Sequence, residues 1–429
     1  MSVRPVHPQL KREIGVLGAT LMGLGSIVGT GVFVSIGIAA GIAGPAVIVA
    51  VAIGAIVATC NGLNSAQLAA NHAVSGGTYE YGYKYLTPWL GFTAGWMFLL
   101  AKTASAATAA LGFAGYLLNA TGLSSTLVVP TALLAVVILT LIVLSGIRRS
   151  NTANIVIVSV TLLSLAFFIV ACLSPAATAG VDNFTPFFTG DVGSILHASA
   201  LMFVAYTGYG RIATMGEEAR EPRKTIPKAM IVCLVLTMLL YMAVAVVAIG
   251  AVGADVLGNA TQQTKAAPLE VAVRSVVGSG GGFVLAIGAM TAMLGVLLNL
   301  ILGLSRVLLA MGRRRDMPRF LARLNQQGTT PYWAVLVVGV AIALLVLLGN
   351  VKTTWSFSAF NVLIYYAITN LAALRLPPQE RLYSQWLAWL GLVSCLFLAF
   401  WVESFIWQVG LGLIIAGLIW HAVRQKAII

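Results

Sequence analysis

Residues Gly23-Leu24-Gly25-Ser26-Ile27-Val28-Gly29-Thr30-Gly31 decide how this chain is read. They sit in the middle of an apolar run, from about Ile14 to Ala40, that is long enough to cross a lipid bilayer. Glycine costs a helix about 1 kcal/mol relative to alanine, and four of these nine residues are glycine, so a continuous helix is expected to break here. A second break is expected in a later apolar run, at Ala205-Tyr206-Thr207-Gly208-Tyr209-Gly210. Spacing of the Gly25–Gly29 kind also lets helices touch closely. Two breaks in corresponding runs point instead to discontinuous helices around a central site. Broken backbone at that depth is tolerated where it lines a cavity.

Composition fixes the surroundings of these runs. Of 429 residues, 59% are apolar and 9% are charged, against about 25% charged in an ordinary soluble domain. A soluble enzyme of this length cannot cover its surface with so few charges. High hydrophobicity excludes a disordered chain. Cys60, Cys172, Cys233 and Cys395 lie in separate apolar runs, with neither CxxC nor histidine spacing, so no zinc site, redox pair or other cofactor is expected. The first apolar run is far too long for the hydrophobic segment of a cleavable signal.

The fold class expected is an all-α polytopic membrane protein of twelve transmembrane helices. The apolar runs are approximately 14–40, 43–69, 89–118, 125–145, 152–173, 193–216, 226–252, 281–311, 331–349, 355–374, 384–400 and 404–421. Placing the N-terminus in the cytoplasm puts 19 of the 25 Lys and Arg on the inside and 3 on the outside. Lys102, Arg211 and Arg306 complete the total within spans. Positive residues accumulate on the cytoplasmic side, which sets both termini inside. That asymmetry accounts for the net charge of +13 with the bilayer as partner and no nucleic acid. The broken runs are the first and sixth, so they cross in opposite directions. The expected organisation is therefore a five-plus-five inverted repeat. A tail (1–13) precedes one repeat at 14–174 and a second at 193–374; an extra pair at 384–421 and a tail at 422–429 follow. The outer segment 253–280 is expected to carry a short amphipathic surface helix with Glu270 and Arg274 one turn apart. The inner segment 312–330 is expected to lie as a basic turn or helix on the inner leaflet.

The breaks also predict a ligand chemistry. The half-helix that starts after Gly29 presents free N–H groups and a positive dipole end, which suit a carboxylate. The half-helices ending near Ile27 and Tyr206 leave carbonyls unpaired, which suit an ammonium. An α-amino acid zwitterion offers both groups a few ångströms apart.

These stretches resemble the amino acid–polyamine–organocation (APC) superfamily of permeases, whose members share the LeuT-like fold. Gly25-Ser26-Ile27-Val28-Gly29-Thr30-Gly31-Val32-Phe33 is similar to its G-S/A-I-I-G-S/T-G-I-F stretch. Val74-Ser75-Gly76-Gly77-Thr78-Tyr79-Glu80-Tyr81 is similar to P-V-S-G-G-x-Y-x-Y. Phe203 to Tyr209, followed by Glu217-Glu218-Ala219-Arg220-Glu221-Pro222 and Ile226-Pro227, resembles the pattern around the sixth span. Gly95-Trp96, Ser305-Arg306, and Tyr365-Tyr366-Ala367 with Asn370 match further positions. The resemblance implies an amino acid transporter, not an enzyme, that works by alternating access as a symporter or exchanger in the cell's inner or plasma membrane, with no obligate protein partner. It places the substrate carboxylate at Ser26, Gly29, Thr30 and Gly31. It places the amine at carbonyls of Ile27, Phe203 or Val204, and Thr207, with Val204 and Tyr206 near the side-chain pocket or gate. The chain departs from the pattern at Thr161, where many relatives carry lysine, and at Gly210, where many carry an acid. Gln67 and Ala73 replace a glutamate and a proline.

Four polar residues within spans are candidates for coupling, selectivity or gating. Lys102 lies about two turns beyond Trp96 and is expected to face the cavity, since a lysine at that depth costs a few kcal/mol unless paired or wet. There it would replace a bound cation, favour an acidic side chain, or titrate. Thr161 and Thr291 are further ion or coupling candidates, and Arg211 is a gating candidate that would pair with Glu217 or Glu218. The alternative reading, an inorganic-ion or organic-cation carrier or channel on the same scaffold, would call for oxygen-rich rings, and the sequence has none.

Overall fold

The structure is a computed structural model that describes residues 14–72, 76–146, 151–215, 218–262, 266–325 and 330–426. The described residues are almost entirely helical. Helices α1 (Val16–Ile27), α2 (Ile36–Ala43) and α3 (Val47–Asn71) form the first apolar stretch, which turns at Gly44 with φ 61°. Then come α4 (Thr78–Tyr85), α5 (Pro88–Thr121), α6 (Val128–Leu144) and α7 (Asn151–Ala179). The second half holds α8 (Val192–Tyr206), the stub α9 (Gly210–Ala213), α10 (Pro222–Asn259), α11 (Pro268–Val277) and α12 (Ser279–Arg313). It continues through α13 (Tyr332–Val346) and α14 (Val351–Leu374), and the chain closes with α15 (Gln385–Ala399) and α16 (Ser404–Lys426). Every apolar stretch read from the sequence is helical. Among the described residues, nine helical stretches are long and apolar enough to cross a membrane, the first of them running from Val16 to Asn71. Helices α13 and α15 are apolar but shorter.

Local chemistry sets several helix ends. Thr87 Oγ1 accepts from Leu90 N (3.4 Å) at the start of α5, Pro88 occupies the first turn, and Gly122 ends the helix with φ 71°. Asp191 Oδ1 accepts from Ser194 N (2.9 Å) to open α8. Asn350 does the same for α14 with the amides of Lys352 and Thr353. Helix α5 has 34 residues and is therefore about 50 Å long, which exceeds a hydrocarbon core of about 30 Å and requires tilt or projection beyond it.

The inner layer is α5 packed against α12 and α14, and α3 packed against α8 and α10. Their facing surfaces are rich in alanine and glycine, as close approach of helices in lipid requires. Outward faces are apolar: Leu134, Leu163, Val170, Val340, Phe405 and Ile415 are all more than half exposed. In water this surface would aggregate; against acyl chains it is at home.

One of the two interhelical segments differs from the sequence reading. The outer one does contain a helix, α11, and Arg274 Nη2 sits 2.7 Å from Glu270 Oε1. Glu270, however, is fully buried rather than on a surface, because α11 packs onto α12 and α10 and turns its acidic side inward. Burial pushes the Glu270 carboxyl up, and Arg274 pulls it part of the way back. In segment 312–330 the chain takes the turn form, a 3-10 turn at Arg319–Ala322, and Asp316 is drawn into the protein.

At the turn between α15 and α16, Glu403 bridges His197 of α8 (3.3 Å) and Lys352 of α14 (3.2 Å). Burial alone would raise this carboxyl, but the His197 contact outweighs it and holds it at about 2. A depressed carboxyl stabilises the fold fully above its ordinary value of 4.5 and loses that contribution as pH falls towards 2. Thermal unfolding in detergent is therefore expected to occur at lower temperature at pH 3 than at pH 5. Glu403→Gln should shrink that difference, and an equal pH response in the variant would contradict the assignment.

Candidate functional site

Both expected breaks are present, and they touch. Helix α1 closes at Ile27, and Val28 leaves helical geometry with φ −78° and ψ 100°. The chain then re-enters through a π-helical turn at Gly31–Ser35 before α2. Helix α8 closes at Tyr206, continues as a 3-10 turn at Thr207–Tyr209, and then forms α9. A methyl group on Gly208 would lie 2.6 Å from Ile27 N, and one on Gly31 would lie 2.7 Å from Ala205 Cβ. Only glycine permits the two breaks to approach this closely.

The tyrosine hydroxyl of Tyr241, from α10, joins them. Its Oη is 2.8 Å from Ile27 O and 3.3 Å from Ala205 O, so one donor serves carbonyls from both breaks. Leaving buried carbonyls unserved costs about 1–3 kcal/mol. Tyr241→Phe is expected to lower stability by that amount, measured by thermal unfolding of the purified protein. An unchanged unfolding midpoint would mean that the hydroxyl does not join the breaks.

Around the breaks lies a small cavity of about 50 Å³. Ser26, Ile27, Thr30 and Gly31 line it from the first break, and Val204, Ala205, Thr207 and Gly208 from the second. Lys102 and Ser105 of α5, Val296 and Leu300 of α12, and Trp355 of α14 complete the wall. The amides of Gly29, Thr30 and Gly31 open a new helical segment and have no preceding turn to bond to. Thr30 Oγ1 is buried without a hydrogen-bond partner. Ser26 Oγ donates to Met22 O (3.0 Å), which leaves its lone pairs free. Lys102 Nζ donates to Thr207 Oγ1 (2.9 Å), which in turn donates to Val204 O (2.8 Å). This edge of the cavity is therefore a chain of donors with the ammonium at its head.

The remaining site residues expected from sequence lie elsewhere. Gly29 packs on Val296, and its carbonyl accepts from the amides of Val32 and Phe33. Phe203 is fully buried, its ring edge-on to Tyr366. Tyr206 is also fully buried, facing α3 with Oη 3.4 Å from Val51 O and its ring 5.1 Å from that of Tyr241. Thr161 and Thr291 return their hydroxyls to Ile157 O and Ile287 O, both at 2.7 Å, and neither lines the cavity. Arg211 lies on α9, where the charges of Arg306 and Glu218 act on it, and among the described residues it forms no ion pair. Glu217 lies outside the described residues. The sequence reading missed Ser105, Trp355, Val296 and Leu300 in the wall, and Tyr241 behind it. Tyr241 had a signal: a phenol inside an apolar run needs a hydrogen-bond partner.

Below the cavity, three distant segments meet at Asp316. Tyr79 and Tyr83 of α4 donate to Oδ2 (2.6 and 2.7 Å), and His421 of α16 lies 3.5 Å from Oδ1. Arg314 pairs with Glu80 (2.6 Å) and stacks over Tyr83 (4.0 Å).

Comparison with known proteins agrees with this architecture. The model of the amino acid permease family matches residues 18–426. An uncharacterized transporter of Mycobacterium tuberculosis is 38% identical over 428 residues, covering 98% of this chain and 93% of that protein. A branched-chain amino acid permease of Bacillus subtilis is 28% identical, covering 78% of this chain and 74% of its own length. A methylthioribose transporter of the same organism is 26% identical, covering 85% and 83%.

Proposed function

Because this chain belongs to the amino acid permease family, we propose that it is a secondary transporter that carries amino acids across the cytoplasmic membrane by alternating access, as a symporter or exchanger. The meeting of two broken helices at one cavity carries this reading. The amides of Thr30 and Gly31 and the Thr30 hydroxyl would receive the α-carboxylate, and Ser26 would flank it. Ile27 would offer its second carbonyl lone pair to the α-ammonium; the Val204 carbonyl already accepts from the amide and hydroxyl of Thr207. Thr161 and Thr291 lie outside the wall, so any coupling role for them would be indirect. Tyr206 and Arg211 would act through the hinge of the second break rather than in contact with substrate. A carrier of inorganic or organic cations is disfavoured, since the cavity already holds an ammonium at Lys102.

The supporting topology is twelve spans with both termini cytoplasmic, in which spans 1–5 (14–174) and 6–10 (193–374) form inverted repeats and 384–421 is an added pair. Rocking of one repeat against the other would expose the cavity to each side in turn. The Asp316 cluster would close the inner side, and the Glu403 bridge would join α8, α14 and the α15–α16 turn at the outer side. Uptake into proteoliposomes of a labelled amino acid panel, under imposed proton and sodium gradients and with or without internal amino acid, tests the proposal. Saturable uptake of at least one amino acid is expected. Failure to move or bind any amino acid, together with ion flux, would overturn it.

A further inference from the structure

We infer that the substrate carries a second anionic group, and that the cavity is built for an acidic amino acid, with Lys102 as the residue that selects it. The inference rests on the reading of the cavity as an amino acid site, and it adds a side-chain class to that reading.

The argument begins from charge. Lys102 Nζ lies in the cavity wall, and among the described residues its one hydrogen-bond partner is the hydroxyl of Thr207. An ammonium has three donors, so two remain for a ligand. None of the residues lining the cavity is an aspartate or glutamate. A zwitterion with a neutral side chain brings no net charge and leaves this ammonium uncompensated. Its single carboxylate is already matched by the amides that open the segment after Gly29. A cationic side chain would add a second positive charge at short range. A side-chain carboxylate would neutralise Lys102 and accept its two free donors, a charge-assisted contact that is stronger than a neutral one.

A second observation points the same way. Beyond the second break lie Arg211 and Arg306, near enough for the charge of Arg306 to act on Arg211, with Glu218 opposing it among the described residues. Arg211 follows the cavity residue Gly208 by three positions, and Arg306 lies two turns beyond Leu300 on α12. An anionic guest leaving in this direction would meet attraction, and a cationic one repulsion.

The test is competition. Purified protein in proteoliposomes is given labelled aspartate and glutamate, and in parallel alanine, leucine and lysine. Wild type is expected to prefer the acidic pair by at least tenfold in affinity. Lys102→Gln keeps a donor for Thr207 and removes the charge; it should lower affinity for the acidic pair at least tenfold relative to alanine. Wild type that carries alanine, leucine or lysine and ignores the acidic pair would overturn this inference and leave the amino acid reading standing. Wild type that binds none of the five would contradict both. A variant that folds and keeps the acidic preference would also overturn the role of Lys102. Should Lys102→Gln fail to fold, the wild-type panel alone decides.

Discussion

Gly208→Ala is expected to reduce transport at least tenfold, whereas the same change at Gly303 is expected to leave it intact. The added methyl at Gly208 would enter the space of the Ser26 carbonyl and lie 2.6 Å from Ile27 N. These are backbone atoms, which cannot rotate away as a side-chain tip can. The two breaks must therefore separate, and overpacking of this kind costs about 1–3 kcal/mol. Since 1.4 kcal/mol is a factor of ten in an equilibrium, the alignment of amides and carbonyls around the guest should be lost to that degree. Gly303 sits in α12 with open space where its methyl would go, so it controls for the chemistry of the substitution. Initial uptake rates for the two variants, corrected for protein incorporated, check this. Equal rates would mean that the closeness of the breaks is incidental.

The second large effect is expected at Asp316. Its carboxylate is 6% exposed and accepts from two phenols at 2.6 and 2.7 Å. Burial, together with the neighbouring carboxylate, pushes both phenols up, so they remain donors at any working pH. Asp316→Ala leaves both hydroxyls without their acceptor and removes the partner of His421. Hydrogen bonds to a charged group contribute about 1.5–3 kcal/mol each, and partial relaxation recovers some of that. A loss of about 2–4 kcal/mol in unfolding free energy is expected, with Asp316→Asn intermediate because its amide keeps one acceptor oxygen. The cluster ties α4, the end of α12 and α16 together, so on the proposed topology its loss should also ease opening towards the cytoplasm. Thermal unfolding gives the first quantity, and accessibility of a cysteine placed at Ser26 to a thiol reagent from the cytoplasmic side gives the second. A stable Asp316→Ala protein with unchanged accessibility would contradict the closing role.

What could be read from the sequence follows from which signals are local. The breaks were legible because glycine density is a local cost: Gly29 and Gly31 in the first run, and Gly208 and Gly210 in the second, stand out against long apolar stretches. The lining of the cavity by Ser26, Thr30, Thr207 and Lys102 follows from the same positions and from the expense of a charge at depth. Side-chain direction was not legible once helical periodicity fails. Phe203 and Tyr206 sit on the residues that end α8, and they turn towards Tyr366 and α3 instead of the cavity. The Asp316 cluster was invisible for another reason. It joins residues near positions 80, 316 and 421, and no spacing along the chain records such a convergence. Glu270 was placed at a surface because its i,i+4 partner Arg274 is a surface pattern; the packing of α11 decided otherwise.

The most direct test is a density map of the protein with its best-transported amino acid bound. The account predicts a ligand between residues 26–31 and 204–208, with carboxylate oxygens about 3 Å from the amide nitrogens that follow the first break. A ligand bound elsewhere, or α1–α2 and α8–α9 running as unbroken helices around an empty cavity, would contradict it.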